Sequence, residues 1–163
     1  TSLVAQAILY LDMKTLAASE DVRSVLLRLA ALSPDDAARW GRMNAHQMVC
    51  HLCDSMRVPL GEITVSDAEM RPLNRIVMKW GALYFPVKWP KGVPTPPEID
   101  QCRLNGPLNG FESVQQSAIA LVPRLRDAEL EGRRHPTFGP LTCAQWLRWG
   151  WLHADHHLRQ FGR

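Results

Sequence analysis

The chain has 163 residues, enough for one domain with a sizeable hydrophobic core, and its 46% hydrophobic and 21% charged residues are ordinary values for a soluble globular protein. The net charge of +3 is small and dispersed, which excludes a nucleic-acid footprint of basic residues gathered on one face. No run of eighteen apolar residues occurs, so no membrane-spanning segment is expected.

Residues 3–11 are apolar, yet no basic n-region precedes them and no small-residue cleavage site follows, so a secretory signal is not expected. Met13-Lys14 has the look of a chain start. The domain is therefore expected over 14–163, with residues 1–13 as an N-terminal extension. Val22, Val25, Leu26 and Leu29 recur at helical spacing and predict a helix over about 19–32. Ser33-Pro34-Asp35-Asp36 has the form of an N-cap, a proline at the first helical position and two acids facing the dipole. It predicts a short helix ending near Trp40-Gly41.

Asn44 opens the next helix, with Gln47 three residues on completing a capping-box pattern and Pro59-Leu60-Gly61 marking its end. Leu73, Ile76, Val77, Trp80 and Leu83 predict another over 72–84. Residues 86–109 differ in kind: prolines at 86, 90, 94, 96, 97 and 107, with Gly92 and Gly106, forbid regular structure over most of the stretch. Such a connection is expected to serve as a long crossover, or as a lid over one end of a bundle. Asn109-Gly110-Phe111-Glu112 is a further capping-box pattern, predicting a helix to about Glu131. A turn over 135–140 follows, and Thr142 with Gln145 caps a last helix that runs to the C-terminus. No segment reads as a credible strand, 58–65 being the nearest, and the class is all-α.

The last helix carries the chemistry. Trp146, Trp149, Gly150, His153, His157 and Gln160 step by three or four and share one face, apolar in its first half. Two imidazoles at i and i+4 lie about 40° apart around the helix and roughly 6 Å along it, close enough to grip one ion. Neutral imidazole is the common protein ligand for zinc, nickel, copper and iron. The plainer alternative is a pair of core histidines bonded to carbonyls or to each other, and an isolated H-x-x-x-H pattern has many false positives. The best third ligand is His51, on the helix whose other inward positions are Met43, Gln47, Met48, Leu52 and Ser55. His46, in the first turn of that helix, is expected in solvent, His135 in a loop, and His156 pointing about 100° away from His157.

The stretch Trp40-Gly41-Arg42-Met43-Asn44-Ala45-His46-Gln47-Met48-Val49-Cys50-His51-Leu52 and the stretch His153-Ala154-Asp155-His156-His157-Leu158-Arg159-Gln160 together resemble the DinB-like superfamily. More closely, they look like an uncharacterised branch that also carries a loop of the form His135-Pro136-Thr137-Phe138-Gly139-Pro140-Leu141. The resemblance covers essentially 14–163. It implies a four-helix bundle with three histidines binding nickel or zinc at one end, one from the second helix and two from the last: here His51, His153 and His157. It also implies thiol-dependent transferases that activate a low-molecular-weight thiol on the metal, with hydrolysis or isomerisation in some relatives.

Three neutral imidazoles leave an ion its charge and an open position, the arrangement of a catalytic rather than a structural site. A zinc peptidase of the HExxH type is rejected, because position 154 is alanine and Asp155 projects elsewhere. No general base stands out. Gln47 and Gln160 could orient a ligand, and Asp54 could partner a histidine N–H. A thiol transferase needs no such base, since a coordinated thiol loses its proton on the metal. Cys50 and Cys53 flank His51 but lie two turns into a helix, so core packing is favoured over redox chemistry, and all four cysteines are expected as reduced thiols in a cytoplasmic protein. The six tryptophans are expected mainly in the core, with Trp89 lining a cleft.

The sequence thus predicts a divalent-metal-dependent enzyme of thiol transfer or hydrolysis on a small molecule, without nucleic-acid or membrane partners. Leu125, Leu130 and residues 1–12 are the candidate contacts for a homodimer. The alternatives are a non-catalytic, stress-related metal-binding or interaction protein, and a metal-free helical interaction protein.

Overall fold

In the computed structural model, residues 13–69, 71–85, 88–104 and 109–163 are described; the expectations for residues 1–12 lie outside them. Among the described residues five α-helices dominate: α1 (Ser19–Ala30), α2 (Ala45–Leu60), α3 (Pro72–Tyr84), α4 (Phe111–Asp127) and α5 (Cys143–Gln160). α1 and α2 each pack against both α4 and α5, which closes a four-helix ring in the order α1, α4, α2, α5. α3 lies outside the ring against α5. Among the described residues no helix is long and apolar enough to cross a membrane.

Each ring helix buries an apolar stripe, including Val25 and Leu29 of α1, Met48, Leu52 and Met56 of α2, Leu121 and Leu125 of α4, and Trp146 and Leu158 of α5. Burial of each such side chain stabilises the fold by roughly 1.5–3 kcal/mol before entropy is counted. Gly150 lets α5 approach its neighbours, because a Cβ there would stand 2.8 Å from Leu16 Cδ1 and 3.1 Å from Leu125 Cδ2. Leu125 and Leu130 are fully buried in this core, so neither is available to a dimer surface.

Both capping boxes predicted for α2 and α5 form. Asn44 Oδ1 accepts from Gln47 N while Gln47 Oε1 accepts from Asn44 N, and Thr142 and Gln145 exchange the same pair of bonds. The third does not. α4 begins after Gly110, with no side-chain cap, which leaves Asn109 one residue outside the N-cap. Its first residue, Phe111, sits edge-on to His46 at 5.8 Å, which half-buries the imidazole expected in solvent. α4 also stops at Asp127, where the chain turns extended at Ala128 and carries Leu130 into full burial.

The short helix expected over 34–40 is absent. Asp36 accepts the Ser33 amide at 2.9 Å and pairs with Arg163 at 2.6 Å, so its carboxylate ties a turn to the C-terminus instead of starting a helix. The turn region 134–140 holds a two-residue antiparallel pair not foreseen in the sequence, β1 (Arg134–His135) with β2 (Gly139–Pro140), in register Arg134 to Pro140 and His135 to Gly139. α3 matches its predicted bounds, but Leu73, Ile76, Val77 and Trp80 are exposed and only Leu83 is buried. The expectation of a mainly buried tryptophan set is corrected accordingly. Trp146 and Trp149 are buried, Trp80 is exposed, and Trp40, Trp89 and Trp151 are half-buried.

Candidate metal centre

His51 lies in the second turn of α2, and His153 and His157 lie one turn apart on α5. Because α2 and α5 are neighbours in the ring, their phases bring the three rings together. Ring centroids are 5.1 Å apart for His51 and His153, 4.8 Å for His51 and His157, and 4.7 Å for His153 and His157. One nitrogen from each lies within 4.8 Å of the other two, an arrangement that could hold a metal ion.

Two of the three tautomers follow from partners that can only accept. His51 Nδ1 lies 3.1 Å from the Ile99 carbonyl, so it carries the proton and leaves a lone pair on Nε2. His157 Nδ1 lies 3.0 Å from Gln160 Oε1. The amide orientation of Gln160 is fixed in turn by donation from its Nε2 to the Trp40 carbonyl at 2.7 Å. Gly41 makes room for that bond: its φ is +82°, and a Cβ there would stand 2.6 Å from Gln160 Nε2. His157 thus also presents Nε2 as a lone pair. His153 Nε2 stands 3.2 Å from His51 Nε2, and its ring stacks on Trp149 at 4.7 Å.

Burial holds all three imidazoles below their ordinary pKa, His153 and His157 well below it. For His153 the neighbouring His157 and His51 add to the effect. For His51 the Ile99 carbonyl opposes it. The cluster is neutral at physiological pH, the state in which imidazole binds metal. The chemistry of this donor set suits a divalent cation. Two nitrogens on a tetrahedral ion with bonds of the usual zinc length are about 3.3 Å apart, close to the separation of His51 and His153.

The cluster opens into a cleft of about 950 Å³. Trp89 lines it, as the sequence predicted, together with Trp40, Met43, Phe138, Trp149 and much of the proline-rich connection. That connection also supplies structure: Pro97–Ile99 forms one turn of 3-10 helix, which presents the Ile99 carbonyl to His51.

The three polar candidates divide. Gln160 Oε1 meets His157 Nδ1 at 3.0 Å, which places it beside the cluster. Gln47 and Asp54 do not reach the cluster by any hydrogen bond among the described residues. The Gln47 side chain is spent on the capping box and on the Gln101 carbonyl at 3.2 Å, and Asp54 accepts from Gln101 Nε2 at 2.6 Å and from Arg57. Both therefore fasten the connection to α2 through Gln101, a residue without a sequence signal. The N–H that Asp54 was expected to receive goes to Ile99 instead.

His156 lines the cleft but does not join the cluster. Asp155 pairs with Arg28 at 2.8 Å and Arg159 at 2.7 Å, away from any catalytic position. Burial pushes the Cys50 and Cys53 thiols up to about 11 and about 12, which leaves them unreactive in the core. All four cysteines are free. The sole acid lining the cleft among the described residues, Asp100, accepts from the Cys102 amide and pairs with Arg103 at 3.2 Å. His135, read from sequence only as a loop residue, is buried and also lines the cleft.

The family model for the DinB superfamily matches residues 18–161, nearly the whole chain, and the protein belongs to that superfamily. Neither a curated protein nor a solved structure matches it.

Proposed function

We propose that this member of the DinB superfamily is a divalent-metal-dependent enzyme acting on a small molecule, with His51, His153 and His157 as the ligands of one zinc or nickel ion. The observation that carries the reading is the pair of enforced tautomers: Ile99 and Gln160 each hold a proton on Nδ1, which leaves an Nε2 lone pair on both rings within the three-histidine cluster. Such second partners are what fix metal-binding histidines in place.

An ion held by three neutral imidazoles supplies a Lewis acid that lowers the pKa of a bound thiol or water. The residues around it favour thiol transfer over hydrolysis. No uncommitted carboxylate lines the cleft among the described residues, and the nearby hydroxyl, Ser55 Oγ, lies 3.5 Å from His51 Nε2. A thiol activated by the ion needs no protein base. In the transfer, the S–H proton passes to solvent, sulfur bonds to an electrophilic carbon, and the leaving group departs with the electron pair of the broken bond.

Among the described residues, Arg42, Lys88 and Arg103 line the cleft against the one acid Asp100, a surplus of positive charge that suits a thiol bearing carboxylates. The aromatic walls suit an apolar electrophile.

The test is a transferase assay with zinc- or nickel-loaded protein, an activated aryl chloride and a panel of carboxylated low-molecular-weight thiols. Metal-dependent thioether formation, lost in His153→Ala, is expected. Thioether formation at the uncatalysed rate with every thiol, or undiminished in the variant, would overturn the reading.

A further inference from the structure

His135 is a second feature of the cleft, separate from the three-histidine cluster. Its Nδ1 accepts the backbone amides of Thr137 at 3.1 Å and Phe138 at 3.3 Å, so that nitrogen carries a lone pair. The ring is stacked on Phe138 at 4.4 Å, and Arg75 clamps the same loop by donating to the Pro136 and Thr137 carbonyls at 2.9 and 3.3 Å. Burial, helped by the Arg75 charge, drives the imidazole down to about 3, so it is neutral in any physiological medium. The one remaining proton therefore resides on Nε2, on the opposite edge of the ring from the loop backbone. His135 is only 7% exposed, yet it lines the cleft, and its Nε2–H has no hydrogen-bond partner among the described residues. The fully buried side-chain atoms without a partner among the described residues lie elsewhere, at His46, Trp151 and His156, so this donor keeps access to the cleft, where an acceptor can meet it.

Its position relative to the cluster is set by one shared neighbour. Trp149 stacks on His153 at 4.7 Å and meets His135 edge-on at 5.1 Å. A ligand lying along that tryptophan can reach both.

We infer that His135 is a substrate-positioning residue, whose fixed Nε2–H donates to a carbonyl-type oxygen of a small aromatic or apolar ligand in the cleft. The inference rests on the reading of the cleft as a substrate site. It adds the chemical class of the electrophile, an apolar molecule carrying an acceptor oxygen. A protonated imidazole or a mobile side chain would serve less well, because a neutral donor held by two amides costs nothing further to orient.

The two ring nitrogens can be separated by substitution. His135→Asn keeps an acceptor near the Nδ1 position and removes the cleft donor, whereas His135→Gln keeps a donor near Nε2 and removes the loop acceptor. Zinc-loaded wild type and both variants would be titrated with phenylacetamide, phenylacetate and toluene, followed by tryptophan fluorescence. The wild-type His135 Nε2–H would be followed by NMR in the same titrations.

The expected result is that one or both oxygen-bearing probes bind about three- to tenfold more weakly to His135→Asn than to wild type or His135→Gln, the weight of one neutral hydrogen bond. Toluene should bind all three alike, and the wild-type Nε2–H signal should shift only with the oxygen-bearing probes. Preference for phenylacetamide or for phenylacetate identifies the acceptor as a neutral carbonyl or a carboxylate. Equal binding by all three proteins, no binding with an unmoved Nε2–H signal, or loss confined to His135→Gln would overturn the assignment.

Metal content measured on the same samples keeps the two readings apart. Protein that takes no metal but retains the Asn–Gln contrast refutes the metal enzyme and not this donor. Full metal loading without the contrast does the reverse.

Discussion

His51 Nε2 and His153 Nε2 face each other at 3.2 Å across the interface of α2 and α5. His51 carries its proton on Nδ1, toward Ile99, so this contact is a hydrogen bond only when His153 is protonated on Nε2. With an ion between them, both atoms must present lone pairs. Addition of zinc to metal-free protein is therefore expected to move the His153 proton from Nε2 to Nδ1, while His51 and His157 keep Nδ1–H. Nitrogen-15 NMR of the imidazoles reads this directly, and a His153 tautomer unchanged by zinc would contradict it.

Gln160 joins His157 to the Trp40 carbonyl, and it is expected to matter for metal affinity without touching the ion. Gln160→Ala should weaken zinc binding about 10- to 100-fold, the usual effect of removing a partner that orients a ligating histidine. Gln160→Glu keeps an acceptor for His157 and should lose less. Competition with a chelating dye measures both, and equal affinities in the two variants and wild type would refute the role.

Gln101 fastens the proline-rich connection to α2 through Asp54 and Gln47. Burial raises the Asp54 pKa and the Gln101 bond opposes that rise, so the pair belongs to the interior, where loss of one partner is costly. Gln101→Ala is expected to destabilise the protein by about 1–3 kcal/mol in urea melts. It should also speed proteolysis within 88–104. An unchanged midpoint and cleavage rate would show that the connection is held by other contacts.

Stability should fall in acid because of buried neutral histidines. The folded pKa of His135 is about 3, against an ordinary value of 6.5, so the unfolded chain takes up the proton first. Its contribution is fully present above about pH 6.5 and is lost as pH falls toward 3. At pH 5 the loss from His135 alone is about 2 kcal/mol. Urea melts between pH 7 and pH 4.5 should show the decline, with a shallower slope in His135→Asn. Identical slopes would contradict the assignment of a buried neutral His135.

The cluster was legible because two of its members obey helical periodicity. His153 and His157 continue the seam begun by Trp146 and Trp149, and the capping boxes at Asn44 and Thr142 fix the phases of both helices. His51 was less so: its place on an inward helix face made it the best third candidate, and the family resemblance pointed to the same residue. Ile99 and Gln101 were not legible, since the connection that holds them has no period and contacts α2 across about fifty residues of chain. The donor role of His135 depends on two backbone amides in its own turn, which composition does not reveal. Local signals failed where tertiary contacts competed with them. Asp36 pairs with Arg163, at the far end of the sequence, and the helix that its acidic cap signalled does not form.

The central claim, that His51, His153 and His157 bind one divalent ion, is tested most directly by elemental analysis of protein purified without a nickel column or chelator, beside the three single alanine variants. The account predicts close to one zinc or nickel ion per wild-type chain, lost in each of the three variants while their helical circular dichroism persists. A wild-type protein that takes up no metal even after zinc or nickel is added, or variants that retain a full equivalent, would contradict it.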